Sequence, residues 1–156
     1  MKTVSTIASA VLLCAAVAAA QEKPASNMDI LRDKLKADKK LLIAENLGLT
    51  EAESAAFWPV YEEYQKELEA INQRLAKAVQ GYAQEYNAKS LTDEKAKALM
   101  TEAFAIEEAE VALKKKYLER VSGVIPATKA ARYLQMENKI RAILRFDLAS
   151  NIPLAP

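Results

Sequence analysis

Residues 49–87 read LTEAESAAFWPVYEEYQKELEAINQRLAKAVQGYAQEYN, and this stretch decides the fold. It opens with Leu49-Thr50-Glu51-Ala52-Glu53. A threonine hydroxyl accepts a hydrogen bond from a free N–H in the first helical turn, and a glutamate three positions on reaches back to the threonine N–H; this is a capping box. Behind it Phe57, Tyr61, Tyr64, Leu68, Ile71, Leu75, Ala78 and Tyr82 alternate at spacings of four and three. That interval holds one apolar stripe against a partner helix, and heptad position accounts for the aromatic residues in it as core. The pattern predicts a helix from Glu51 to about Asn87, roughly 55 Å long at 1.5 Å per residue. Two residues oppose it: Pro59 lacks the N–H a helix interior needs, which predicts a kink, and Gly81 costs about 1 kcal/mol relative to alanine.

The same signal recurs forty-two positions later as Leu91-Thr92-Asp93-Glu94-Lys95. Leu99, Ala103, Ile106, Leu113, Tyr117 and Val121 follow it, with Glu110 interrupting the stripe. Glu102, Glu107, Glu108 and Glu110 lead and Lys114, Lys115 and Lys116 follow, the order a helix dipole favours. Upstream, Leu31, Leu35, Leu42 and Leu49 lie near helical spacing, with Leu41 and Ile43 widening the face, so a first helix is expected over Met28–Asn46, stopped by Gly48. Downstream, Pro126 suits the first turn of a last helix through Leu148, with Tyr133, Ile140, Ile143 and Leu144 inward and Pro153 ending it. No strand pattern appears. The expected fold is all-α: four helices, two of them long and antiparallel, as an elongated bundle or cradle-like hairpin. Residues 28–148 form its single domain and 149–156 an extended tail.

The N-terminus carries a different message. Lys2, an apolar run from Val4 to Val17 and Ala18-Ala19-Ala20 before Gln21 have the layout of a secretory signal peptide over residues 1–20. Cleavage is expected at Ala18, Ala20 and Gln21, leaving 21–27 as a flexible leader and the chain in the periplasm. The segment is short for a membrane anchor, and Leu13 before Cys14 does not suit a lipid attachment site.

Composition narrows the chemistry. The only cysteine, Cys14, leaves with the leader, and the chain has no histidine. A cysteine nucleophile, a histidine base and the imidazole or thiolate ligands of zinc, copper and nickel are then missing. Three scattered glycines build no phosphate loop. The chain is expected not to be an enzyme and to need no cofactor or metal. After cleavage 21 basic residues face 21 acidic ones, which speaks against nucleic acid as a partner. The balance hides an asymmetry. Residues 45–113 carry 14 acidic and 6 basic side chains, while residues 114–145 carry 9 basic and 2 acidic. The two blocks either satisfy each other within a bundle or dimer, or leave a basic surface for a partner. Trp58, off the apolar stripe, either packs on the first helix or serves as a contact residue.

The two boxes resemble the LTxxQ motif of the Spy/CpxP family of small periplasmic helical proteins. Leu49, Thr50 and Glu53, then Leu91 and Thr92, carry the likeness, with Glu53 and Lys95 where the family has glutamine. A carboxylate can still close a capping box; lysine cannot. The tail from Ile125 to Pro156 looks like that of secreted proteobacterial relatives rather than of the chaperones themselves. The resemblance implies a dimeric, ATP-independent holdase or envelope-stress accessory protein that binds unfolded clients on a mixed basic and apolar surface. Trp58, Lys129, Arg132, Lys139, Arg141 and Arg145 are the candidate contacts with such a protein partner. The alternative is a coiled-coil adaptor that dimerises and binds one envelope protein.

Overall fold

The computed structural model describes residues 38–156, which form four helices: α1 (38–47), α2 (Glu51–Asn87), α3 (Asp93–Ser122) and α4 (Ala127–Asn151). The all-α class follows directly. The cleavage residues Ala18, Ala20 and Gln21, the leader, and residues 28–37 of the expected first helix lie outside the described residues. No described helix is long and apolar enough to cross a membrane.

Both boxes start helices. Thr50 caps α2, accepting from the Glu53 N–H at 3.2 Å while Glu53 Oε2 accepts from the Thr50 N–H at 2.7 Å. Thr92 caps α3 one way only, accepting from the Lys95 N–H at 3.4 Å. Lys95 Nζ instead donates to Glu85 at 2.7 Å and to the Ser90 carbonyl at 3.2 Å, tying the new helix to the end of the old one. That end is a Schellman turn: the Ser90 N–H reaches Glu85 O and the Lys89 N–H reaches Tyr86 O, with Lys89 left-handed at φ 52°. α2 runs unbroken through Pro59 and Gly81. Pro59 and Ala55, whose carbonyl loses its usual donor, are both exposed, so that carbonyl is open to solvent.

Side-chain pairs fix the topology. Glu63–Arg120, Glu67–Lys116 and Arg74–Glu102 step in opposite directions along α2 and α3, an antiparallel hairpin. Glu107–Arg145, Glu110–Arg141 and Lys114–Asn138 do the same for α3 and α4. α4 therefore runs parallel to α2, and α1, paired through Lys40–Glu62, runs antiparallel to it. The core lies where all four helices meet. Phe57 and Tyr133 stack edge-on at 5.1 Å, as do Tyr64 and Tyr117 at 5.1 Å, and Tyr64 reaches Tyr133 at 5.9 Å. Edge-to-face rings add about 0.5–1.5 kcal/mol each beyond the apolar area they bury.

Several inward and outward assignments change. In α1 the core residues are Ile43 and Leu47, whereas Leu41 and Leu42 are exposed. Glu110 does not interrupt the α3 stripe; it occupies a buried position on it, between Ile106 and Leu113. In α4 the buried line is Ala130, Tyr133, Glu137, Ile140 and Asp147, while Ile143 faces solvent. α4 also continues to Asn151, past the expected end at Leu148, so the tail beyond the helix is shorter.

Candidate protein-binding surface

Two carboxylates buried on otherwise apolar lines organise the α4 side of the bundle. Glu110 of α3 receives Arg141 Nη2 on one oxygen and Arg145 Nη2 at 2.8 Å on the other. Arg141 Nη1 donates onward to Asn72 Oδ1 of α2 at 2.6 Å, so one guanidinium spans three helices. Its Nε finds no acceptor among the described residues. Burial, and then the neighbouring Arg145 charge, lower the Arg141 pKa, yet a guanidinium stays protonated in proteins. Glu137 of α4 receives Lys39 Nζ at 2.7 Å and Gln65 Nε2 at 2.9 Å, joining α1, α2 and α4. Buried charge is tolerated only when paired in this way.

These pairs bridge a gap. Between α2 and α4, floored by α3, lies a groove of about 480 Å³ whose apolar wall includes Tyr64, Leu68, Ile140 and Leu144. Lys39 and Lys40 stand at its α1 end. The parallel helices touch through long side chains here. On the opposite flank of the hairpin, Tyr117 donates to Glu67 at 2.8 Å and accepts from Arg120 at 3.1 Å. Burial, and then the Glu67 carboxylate, push its phenol up to about 12. Lys116 and then Tyr117 hold Glu67 below the usual carboxylate range.

The candidate contact residues divide. Lys129 donates to Gly48 O at 2.7 Å and to Glu53 at 2.6 Å, pinning the start of α4 to the α1–α2 turn and lowering the Glu53 pKa. Arg141 and Arg145 are engaged by Glu110. Trp58 is half-buried, packed edge-on against Phe57 and Tyr61, with Lys40 Nζ 5.0 Å from its ring. It thus packs beside the first helix. Arg132 and Lys139 are exposed and make no hydrogen bond or ion pair among the described residues. Part of the basic block is therefore consumed inside the bundle, and part is left on its surface.

The structure adds residues that the sequence reading did not place outside. Phe146 is 73% exposed and Ile143 41% exposed. At 100° per residue, Arg132, Lys139, Ile143 and Phe146 fall within a sector of about 60° on α4, turned about 120° from its buried line. A partial signal was present: Phe146 falls about 120–140° around the helix from Ile140 and Tyr133, whereas Ile143, three residues from Ile140, lies at the edge of that face. Compared with protein families, curated proteins and solved structures, the chain matches none, so its site is read from its own residues.

Proposed function

We propose that this chain is an exported, ATP-independent, chaperone-like or envelope-stress accessory protein that holds unfolded or partner proteins on the outward face of α4. The observation that carries the reading is the strip Arg132, Lys139, Ile143 and Phe146, where two uncommitted cations are followed along one side of the helix by two exposed apolar side chains. Unfolded segments offer apolar side chains and scattered carboxylates. Such a strip takes both weakly, through area burial and screened charge attraction, without a shaped pocket. No step in this mechanism consumes a nucleotide or needs a metal. Export rests on the signal-peptide pattern of residues 1–20.

The competing reading, a structural adaptor for one envelope protein, draws on the closed seam from Phe57 to Ile71. Light scattering separates the two. Two unrelated, chemically unfolded clients are diluted with the protein, without ATP, across a salt series. The chaperone-like reading expects both to be protected near equimolar ratio, less so at high salt. It also expects the protection to fall in a Phe146→Ser, Ile143→Ser variant and its salt dependence to flatten in an Arg132→Glu, Lys139→Glu variant. No protection of either client leaves the adaptor as the better account.

A further inference from the structure

The groove between α2 and α4 is too narrow to seat a helix. Two hydrogen-bonded bridges cross it: Gln65 Nε2 donates to Glu137 Oε1 at 2.9 Å, and Arg141 Nη1 donates to Asn72 Oδ1 at 2.6 Å. On α2 the two bridgeheads stand about 10 Å apart, at 1.5 Å per residue. A helix, about 10 Å across with its side chains, would have to break both bridges to enter. An extended peptide would press its N–H and C=O groups against Leu68, Ile140 and Leu144, which can bond neither. An unbranched hydrocarbon carries no polar group along its length and is one methylene thick. The space, about 480 Å³, lies in the range of small-molecule sites, which in bundles form between helices.

The polar lining identifies what such a chain carries at its end. Every carboxylate that lines the groove already receives a donor: Glu62 from Lys40, Glu69 from Gln73, Glu110 from both arginines, and Glu137 from Lys39 and Gln65. The donors are less fully used. Lys114 Nζ, also in the lining, donates to the neutral Asn138 Oδ1 at 3.1 Å and to no carboxylate among the described residues. Arg141 Nε is buried without an acceptor. Lys114 lies one turn beyond Glu110 on α3, and Asn138 one turn before Arg141 on α4, so the two cations are neighbours. Around them Lys114, Arg141 and Arg145 face Glu107 and Glu110, three positive charges against two negative. A group that only accepts hydrogen bonds and brings one negative charge completes this set, and a carboxylate does both. We propose that the groove between α2 and α4 binds a free fatty acid, its acyl chain along Leu68, Ile140 and Leu144 and its carboxylate on Lys114 and Arg141.

The site uses no residue of the strip on the outward face of α4, so either can fail alone. It is tested by calorimetric titration of the full chain with three ligands that share one tail, each below its micelle concentration: laurate, dodecanol and dodecyltrimethylammonium. Laurate should bind saturably at one per chain, and the ammonium at least about tenfold more weakly. Lys114→Gln should weaken laurate about fivefold and leave dodecanol unchanged. Leu144→Glu should abolish binding of both, with circular dichroism showing each variant helical. The absence of saturable laurate binding overturns the proposal, and this includes the case in which another part of the chain fills the groove. Equal affinity for laurate and the ammonium, or equal loss of laurate and dodecanol in Lys114→Gln, overturns the carboxylate assignment. Laurate binding that survives Leu144→Glu belongs elsewhere on the chain and overturns the groove as the site.

Discussion

Replacing Glu110 with alanine removes the acceptor that two arginines share at the α3–α4 contact. The Glu110 side chain is 4% exposed and that of Arg141 13%, so the deletion leaves a buried guanidinium without its counter-charge. Breaking a buried pair from one side costs about 3–5 kcal/mol. Two features place this case at the lower end. Arg141 keeps its 2.6 Å bond to Asn72, and Arg145, 41% exposed, keeps Glu107. The expected loss is about 3 kcal/mol, which for an m-value near 2 kcal/mol/M moves the urea midpoint down by about 1.5 M. The paired control is Glu110→Leu with Arg141→Met, which fills the same space and strands no charge. Apolar replacement of a whole buried pair is often neutral or stabilising, so this double variant should unfold within about 1 kcal/mol of wild type. Far-UV circular dichroism in urea reads both. A midpoint shift below about 0.3 M for Glu110→Ala, or a double variant as unstable as the single one, would refute the argument that paired burial holds this seam.

Three further outcomes follow from the same structure. Lys89→Gly should stabilise the protein by about 1 kcal/mol, since the Schellman turn holds position 89 in a left-handed conformation that suits glycine; a destabilised variant on thermal or urea melting would mean the turn is not so formed. Thr50→Ala should cost about 1 kcal/mol and Thr92→Ala less, because only the first box is closed in both directions; equal losses in urea would contradict the distinction. Burial raises the phenols of Tyr61, Tyr64 and Tyr133, and raises Tyr117 to about 12. In the unfolded chain they ionise near pH 10, so their contribution to stability is complete below about pH 10 and is lost as pH climbs through the folded values. Phenolate absorbance from these four should appear only together with loss of helix, and its appearance in a fully helical protein would count against their burial.

The bounds of α2 and α3 were legible because each begins with a local device. A capping threonine, its partner three residues on and a heptad stripe all lie within one segment, and no distant contact is needed to read them. Glu110 and Glu137 were not legible for the opposite reason. A carboxylate on a stripe reads as an interruption unless its partner is known, and Arg141 and Lys39 lie 31 and 98 residues away along the chain. α4 compounds this, with Glu137 and Asp147 buried and Ile143 and Phe146 outside, so its apolar residues do not mark its inner face. The same gap separates the candidate contacts. Arg132 and Arg141 look alike as sequence, and only the position of Glu110 makes one of them internal.

Acidic side chains on the buried lines of α3 and α4 bear on how the helices find their alignment. Leucines and tyrosines at heptad spacing pack nearly as well one heptad out of step, which is why purely apolar seams slip. A slide of α4 by seven residues would set Glu110 across from Leu134 or Leu148 instead of Arg141, and would carry Glu137 away from Lys39 and Gln65. Each slipped state would enclose unmatched charge beneath an aromatic layer. The chain thus proofreads its own docking, rejecting near-miss registers before they can trap it.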